Sequence, residues 1–66
     1  MPSIVLSKKL TRFKVGEDVV VTKENSENFN RYGVVWKVRT YNERHKIYVS
    51  FDGDIFSYHP EDLDMA

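Results

Sequence analysis

The stretch KIYVSF, residues 46–51, constrains the fold of this chain more than any other feature of its sequence. Its apolar side chains alternate with more polar ones, which is the period of a β-strand with one buried face. Asp52, Gly53 and Asp54 follow directly, and an Asp-Gly pair favours the tight turns that match the twist of a hairpin. Residues 55–58, IFSY, then return as the second strand. The centre of the chain is therefore predicted to form an antiparallel hairpin.

Two further strands are predicted upstream, on either side of a long loop rich in Asn, Ser and Glu. Residues 18–22 contain consecutive valines, which favour a pleated, half-buried surface. Residues 33–41 alternate imperfectly, because both Val35 and Val38 are apolar enough for the core. A bulge after Gly33 would let both face inward, since an extra residue changes which side chains point to the core. We predict a turn at residues 42–45, before the central hairpin.

The end of the chain adds a short helical turn. Residues 59–63, HPEDL, have an early proline and two acidic side chains in the positions that open a helix. We expect the fifth strand near Phe13 or the N-terminus. The predicted fold class is all-β, a small barrel of about five antiparallel strands with a short C-terminal helical turn, because barrel closure removes exposed sheet edges. Six side chains should share its interior: Val35, Val38, Ile47, Val49, Phe51 and Leu63.

Four motifs resemble those of SH3-like barrels, which include KOW domains, Tudor domains and the photosystem accessory subunit PsaE. They are KVGEDVVVT, GVVWKV, YVSFDG and PEDL, in this order along the chain. Gly33, Val35 and Val38 match the Gly-x-Val-x-x-Val portion of the KOW signature. The resemblance implies an SH3-like barrel in residues 13–66, after an N-terminal segment, residues 1–12, that is a short strand or disordered. Such folds host unrelated functions, so the role must be argued from particular residues.

Composition argues against several classes of function. There is no cysteine and there are two histidines, so we expect no metal site and no cofactor. The longest apolar run near the N-terminus is IVL, whereas a signal peptide needs about 7–15 apolar residues and a spanning helix about 20. We therefore expect a cytoplasmic protein without membrane contact. The sequence leaves its oligomeric state open.

Catalysis is not expected either. The hydroxyl residues fall in turns or strands, and no Ser–His or acid–His spacing suggests a triad. Asp52 and Asp54 could be an acid–base pair or a weak calcium site, but an Asp-Gly-Asp turn explains them more simply. With three glycines, the chain has no glycine-rich phosphate loop.

Residues 31–48 carry the strongest signal for binding, since they place five cations and four aromatics against a single acid. Cations neutralise phosphates and aromatics stack on bases, a combination that suits single-stranded nucleic acid. Lys37, Arg39 and Tyr41 share one face by alternation. Tyr48 is expected on the same face of the partner strand. The candidate residues for contact with nucleic acid or another partner are Arg31, Tyr32, Lys37, Arg39, Tyr41, Arg44, Lys46 and Tyr48.

The formal net charge is zero, yet all ten Lys and Arg lie in residues 1–46, which leaves room for a local basic face. The leading hypothesis is a non-catalytic binding module that contacts nucleic acid or a nucleoprotein machine. The alternative is a protein–protein docking adaptor or a small regulator of a host enzyme, because Tyr, Trp and Arg are common at protein interfaces. An aromatic cage for a methylated ammonium, from Tyr32, Trp36 and Tyr58, is a further option. A small barrel with cations and tyrosine hydroxyls simply facing water would show the same pattern.

Overall fold

The computed structural model describes residues 12–66, which form one antiparallel sheet of five strands. The strands are β1 (Asp18–Val21), β2 (Tyr32–Tyr41), β3 (Arg44–Phe51), β4 (Asp54–Tyr58) and β5 (Leu63–Met65). A 3-10 turn, Pro60–Asp62, separates the last two strands. The spatial order is β4-β3-β2-β1-β5. The all-β class and the C-terminal helical turn are thus confirmed, whereas the prediction for residues 1–11 lies outside the described residues.

The fifth strand lies at the C-terminal end of the chain, so the strand expected near Phe13 is wrong. Phe13 is buried in the core but belongs to no strand. β5 pairs with β1 instead, in the register Val19↔Met65 and Val21↔Leu63. The 3-10 turn places the end of the chain beside β1. The backbone N–H of Thr22, which follows β1, donates to the carbonyl of Asp62 in that turn at 2.8 Å. This pairing joins segments far apart in sequence, so no local pattern marks it.

Both hairpin turns contain two residues with positive φ, the backbone that matches the right-handed twist of strands. In the β2–β3 turn, φ is 51° at Asn42 and 61° at Glu43. In the β3–β4 turn, φ is 54° at Asp52 and 98° at Gly53, as the Asp-Gly signal predicted. The first turn is shorter than predicted, because β3 already begins at Arg44.

A β-bulge interrupts β2 at Trp36. Val35 pairs with Val49 and Lys37 pairs with Tyr48, so Trp36 has no partner of its own on β3. The predicted bulge therefore exists, but it lies later in the strand than the position after Gly33. It has the predicted effect, because Val35 is buried and Val38 packs against the same core.

Every strand contributes to one interior. The buried apolar side chains are Phe13, Val19, Val21, Val35, Ile47, Val49, Phe51, Tyr58 and Leu63. Because β4 and β5 lie at opposite ends of the sheet order, their shared core requires the sheet to curl, which is compatible with a small barrel. Gly33 allows this close packing, since a Cβ there would lie 2.6 Å from Cγ1 of Val49 and 2.8 Å from the carbonyl oxygen of Ser50.

The long loop after β1 is held by a buried polar network centred on Asn28, which is 2% exposed. The Asn28 side-chain amide donates to the Tyr58 hydroxyl at 3.0 Å, and the Ser26 hydroxyl is 2.9 Å from the same oxygen. Arg31 donates to Oδ1 of Asn28 at 2.8 Å and lies 4.9 Å from the centre of the Phe51 ring. We call these five side chains the Asn28 network. It satisfies the polar atoms that the loop buries.

Candidate functional site

The outer surface of the β2–β3 hairpin gathers six of the predicted contact residues. Cross-strand partners have side chains on the same face of a sheet. Three alternate rungs of this hairpin, which share its outer face, are Lys37↔Tyr48, Arg39↔Lys46 and Tyr41↔Arg44. The inward residues between them, such as Val38 and Ile47, form a rung that faces the core. We define the basic-aromatic face as Trp36, Lys37, Arg39, Tyr41, Arg44, Lys46 and Tyr48.

The four cations of this face lack carboxylate partners in residues 12–66. No ion pair within that range joins any of them to an acid, whereas Arg12 lies 3.2 Å from Asp64 elsewhere on the surface. Arg39 and Lys46 are direct cross-strand partners. Like charges placed directly opposite destabilise a sheet, and concentrated positive potential attracts anions. The face is therefore electrostatically suited to a polyanion.

Trp36 is the site residue that sequence reasoning left out of the contact set. Strict alternation grouped it with Val38, but the bulge turns its ring outward and leaves it 56% exposed. Its ring meets Tyr48 edge to face, with centroids 6.5 Å apart. The ammonium of Lys46 lies 5.9 Å from the centre of the Tyr48 ring. Bulges commonly re-aim a side chain next to a functional site, and this one adds a large flat ring to the cationic surface.

The other two predicted contact residues do not join this face. Tyr32 is exposed and pairs with Val20 at the opposite end of β2, a ten-residue strand that is about 30 Å long at ~3.3 Å per residue. Arg31 belongs to the Asn28 network. The contact set predicted as one group therefore occupies separate parts of the surface.

The aromatic cage suggested by the sequence is wrong. Tyr58 is 8% exposed and packs in the core, where its hydroxyl serves the Asn28 network. Tyr32 and Trp36 are exposed on the opposite side of the sheet. Three rings divided in this way cannot surround one ammonium group.

Both histidines lie at the turn end of the basic-aromatic face, beside a hollow of about 300 Å³. Nδ1 of His45 is 2.9 Å from the Thr40 hydroxyl, which orients the ring. Its Nε2 is buried and has no hydrogen-bond partner among the protein atoms of residues 12–66. The residues around this hollow are Tyr41, Asn42, Arg44, His45, Lys46 and His59.

An apolar margin borders the face near Trp36. Val34, Ser50 and Ile55 form one rung across three strands. Val34 is 42% exposed and Ile55 is 40% exposed. This margin is small, and isolated exposed aliphatics are common on protein surfaces.

Two further findings concern the same described range. No group of three or more His, Asp or Glu side chains in residues 12–66 is arranged to hold a metal ion. Those residues also contain no helix of the length and apolarity needed to cross a bilayer. Comparisons with known protein families, with curated proteins and with solved structures found no match.

Proposed function

We propose that this chain is an SH3-like barrel whose basic-aromatic face binds single-stranded nucleic acid, alone or within a nucleoprotein machine. Its strand order, its two tight hairpins and the 3-10 turn before the last strand are compatible with such a barrel. Gly33, Val35 and Val38, which match the KOW portion, are the inward positions of β2. The module is non-catalytic, and its role is to hold a ligand.

The rung formed by Arg39 and Lys46 is the observation that carries this proposal. Two cations directly across a strand pair repel each other, and no carboxylate within residues 12–66 offsets the repulsion through an ion pair. A phosphate backbone supplies the missing negative charge. When the cations bind this backbone, condensed counterions are released from it, and their release contributes a large part of the affinity for nucleic acid.

The aromatic residues favour a single strand over a duplex. Bases of a single strand are free to stack on exposed side-chain rings, and each stacked base contributes about 1–3 kcal/mol. Trp36 and Tyr41 are more than half exposed, and both lie among the cations of the face. A duplex offers no unstacked bases to these rings.

A salt titration with matched variants tests the proposal. We expect log K for a labelled single-stranded oligonucleotide to fall linearly with log salt, by roughly 0.7 for each phosphate contact. The double variant Lys37→Ala/Arg39→Ala should lower this slope by about 1.4. Lys14→Ala/Lys23→Ala removes the same number of exposed cations from outside the face and should leave the slope unchanged.

The proposal is overturned if the wild-type chain binds neither single-stranded RNA nor DNA at low ionic strength, where phosphate contacts are strongest. A protein ligand would then be favoured, and the apolar margin gives a way to detect it. Ile55→Asp should weaken binding of a protein partner, since it places a charge in the rung that forms the apolar margin, while leaving oligonucleotide binding nearly intact. Binding that survives moderate salt and is lost in Ile55→Asp would identify a docking adaptor or a regulator of another protein.

A further inference from the structure

The hollow at the turn end of the face exists because β4 stops early. Tyr58, the last residue of β4, pairs with Ile47. β3 begins upstream of that point, at Arg44, so its first residues have no β4 partner. The chain instead turns away at His59 and Pro60 into the 3-10 turn. The step left beside β3 is the hollow of about 300 Å³.

The lining of this hollow is rich in hydrogen-bond donors and contains no carboxylate. Arg44 and Lys46 contribute positive charge, Tyr41 a hydroxyl and Asn42 an amide. His59 and His45 also line the hollow, and the Thr40 hydroxyl orients the His45 ring. Guanidinium and ammonium groups make the strongest hydrogen bonds to phosphate oxygens.

The neighbouring acids line a different hollow. A second hollow, of about 230 Å³, shares Arg44, His45 and His59 with the first but is also lined by Glu43 and Glu61. The first hollow, lined by two cations and no carboxylate, is therefore more favourable for an anion than the second. The two carboxylates disfavour a polyanion that continues from the first hollow into the second, so the first hollow suits a small, terminal anionic group.

We propose that the hollow is a phosphomonoester site, which receives the terminal phosphate of a single strand lying along the basic-aromatic face; this rests on the proposed function. Tyr41, Arg44 and Lys46 belong both to the face and to the hollow, so one strand can contact both without a break. A monoester carries nearly two negative charges at neutral pH, since its second pKa is about 6. An internal phosphodiester carries only one. The hollow therefore discriminates a phosphorylated end from an internal position.

The test compares oligonucleotides of one sequence that differ only at the end: 5′-phosphate, 3′-phosphate and hydroxyl at both ends. We expect one of the two phosphorylated strands to bind roughly tenfold more tightly than the strand with hydroxyl ends, as one or two charge-assisted hydrogen bonds would give. Inorganic phosphate and a nucleoside monophosphate serve as separate probes. Their contact residues are mapped by NMR chemical shifts of the 15N-labelled chain.

Two exposed arginines on the same face of the hairpin provide matched variants. Arg44→Gln removes a cation that lines the hollow, and Arg39→Gln removes one that does not. The readout is the ratio of dissociation constants for the hydroxyl-ended and phosphorylated strands. Arg44→Gln should reduce this ratio to near one, whereas Arg39→Gln should weaken both strands and keep the ratio. A ratio, unlike an affinity, is insensitive to a loss of folded protein.

The outcomes separate the two proposals. If hydroxyl-ended strands bind and a terminal phosphate adds nothing, the phosphomonoester site is overturned and the proposed function stands. If no strand binds but the nucleoside monophosphate changes the NMR chemical shifts of Arg44 and Lys46, the anion site is supported and the single-strand function is overturned. If no probe binds, both are overturned. The site would also be overturned if Arg39→Gln reduced the ratio of dissociation constants as much as Arg44→Gln does. The added affinity for a terminal phosphate would then come from the whole face and not from the hollow.

Discussion

Arg31 lies just before β2 and Arg39 lies within it, and the two arginines differ in their contacts with the rest of the molecule. Arg31 donates to Asn28 at 2.8 Å and stacks on Phe51, so its charge and its planar group both have partners. Arg39 faces Lys46 across the hairpin and makes no ion pair within residues 12–66. One arginine stabilises the fold, and the other stores electrostatic repulsion that a ligand can relieve.

The same contrast extends to the regions around them. In the Asn28 network, the polar side chains of a long loop satisfy one another and tie the loop to β4 through Tyr58. On the basic-aromatic face, cations and half-exposed rings have few partners in the protein. Residue type alone does not separate the two regions, because both contain Arg and Tyr. Tertiary contacts distinguish a surface that holds the protein together from one that is available for binding.

The largest expected effect comes from breaking the Asn28 network. Asn28→Ala removes the donor to Tyr58 and the acceptor of Arg31 at a buried position, so the free energy of unfolding should fall by about 2–3 kcal/mol. Urea denaturation followed by circular dichroism measures it. Asn25→Ala, at an exposed position of the same loop, is the control and should stay within about 0.5 kcal/mol. Equal losses in the two variants would mean that the network does not hold the loop.

Removing the indole ring tests the binding side of the comparison. Trp36→Ala should weaken binding of a single-stranded oligonucleotide by about 1–3 kcal/mol, the contribution of one stacked base. Trp36→Phe should retain most of the affinity, because it keeps a flat ring. Tyr32→Ala removes an even more exposed ring, 69% exposed, from the other end of β2 and should leave binding unchanged. Fluorescence anisotropy measures all three, and a matching loss in Tyr32→Ala would refute the placement of the site.

The two arginines can be compared directly. Arg31→Gln should lower the free energy of unfolding by about 1 kcal/mol, since it removes a hydrogen bond and ring contact, with oligonucleotide affinity per folded molecule unchanged. Arg39→Gln should do the reverse, weakening binding without destabilising the fold. Thermal unfolding and anisotropy on the same two samples measure both quantities. The comparison fails if the two variants lose stability to the same extent.

The smallest expected effect is a gain. Arg39→Glu replaces a like-charge cross-strand pair with an opposite-charge pair, so the free energy of unfolding should rise by about 0.2–1 kcal/mol at low salt. The gain should shrink as salt is added, because exposed charges are screened. Lys23→Glu, in the loop after β1, makes the same charge change away from the hairpin and should show no such gain. A loss of stability in Arg39→Glu at low salt would argue against repulsion between Arg39 and Lys46.

Local signals predicted most of the fold. The alternation of residues 46–51 and the Asp52-Gly53 pair are sufficient for the central hairpin, because both depend only on near neighbours along the chain. The bulge could be anticipated from Val35 and Val38, which both require the core. Its position at Trp36 could not, since a bulge is set by the register against β3.

The candidate site was predicted only in part, for a related reason. Alternation correctly grouped Lys37, Arg39 and Tyr41, and the register of β3 places Tyr48 beside them. It could not separate Arg31 from this group, because the contacts of Arg31 are with Asn28 and Phe51. The hollow between the hairpin and His59 was missed as well, because it depends on where β4 ends.

The amino-acid sequence by itself determined that this chain forms a β-sheet, where its hairpins turn and which side chains of β2 and β3 enter the core. These follow from side-chain period and turn geometry, which act over a few residues. Only the tertiary structure decided that β5 covers the edge of β1, that Trp36 faces outward and that four cations remain without carboxylate partners within residues 12–66. Each of these depends on which distant segments meet, and an interaction between distant segments leaves no periodic pattern in either of them.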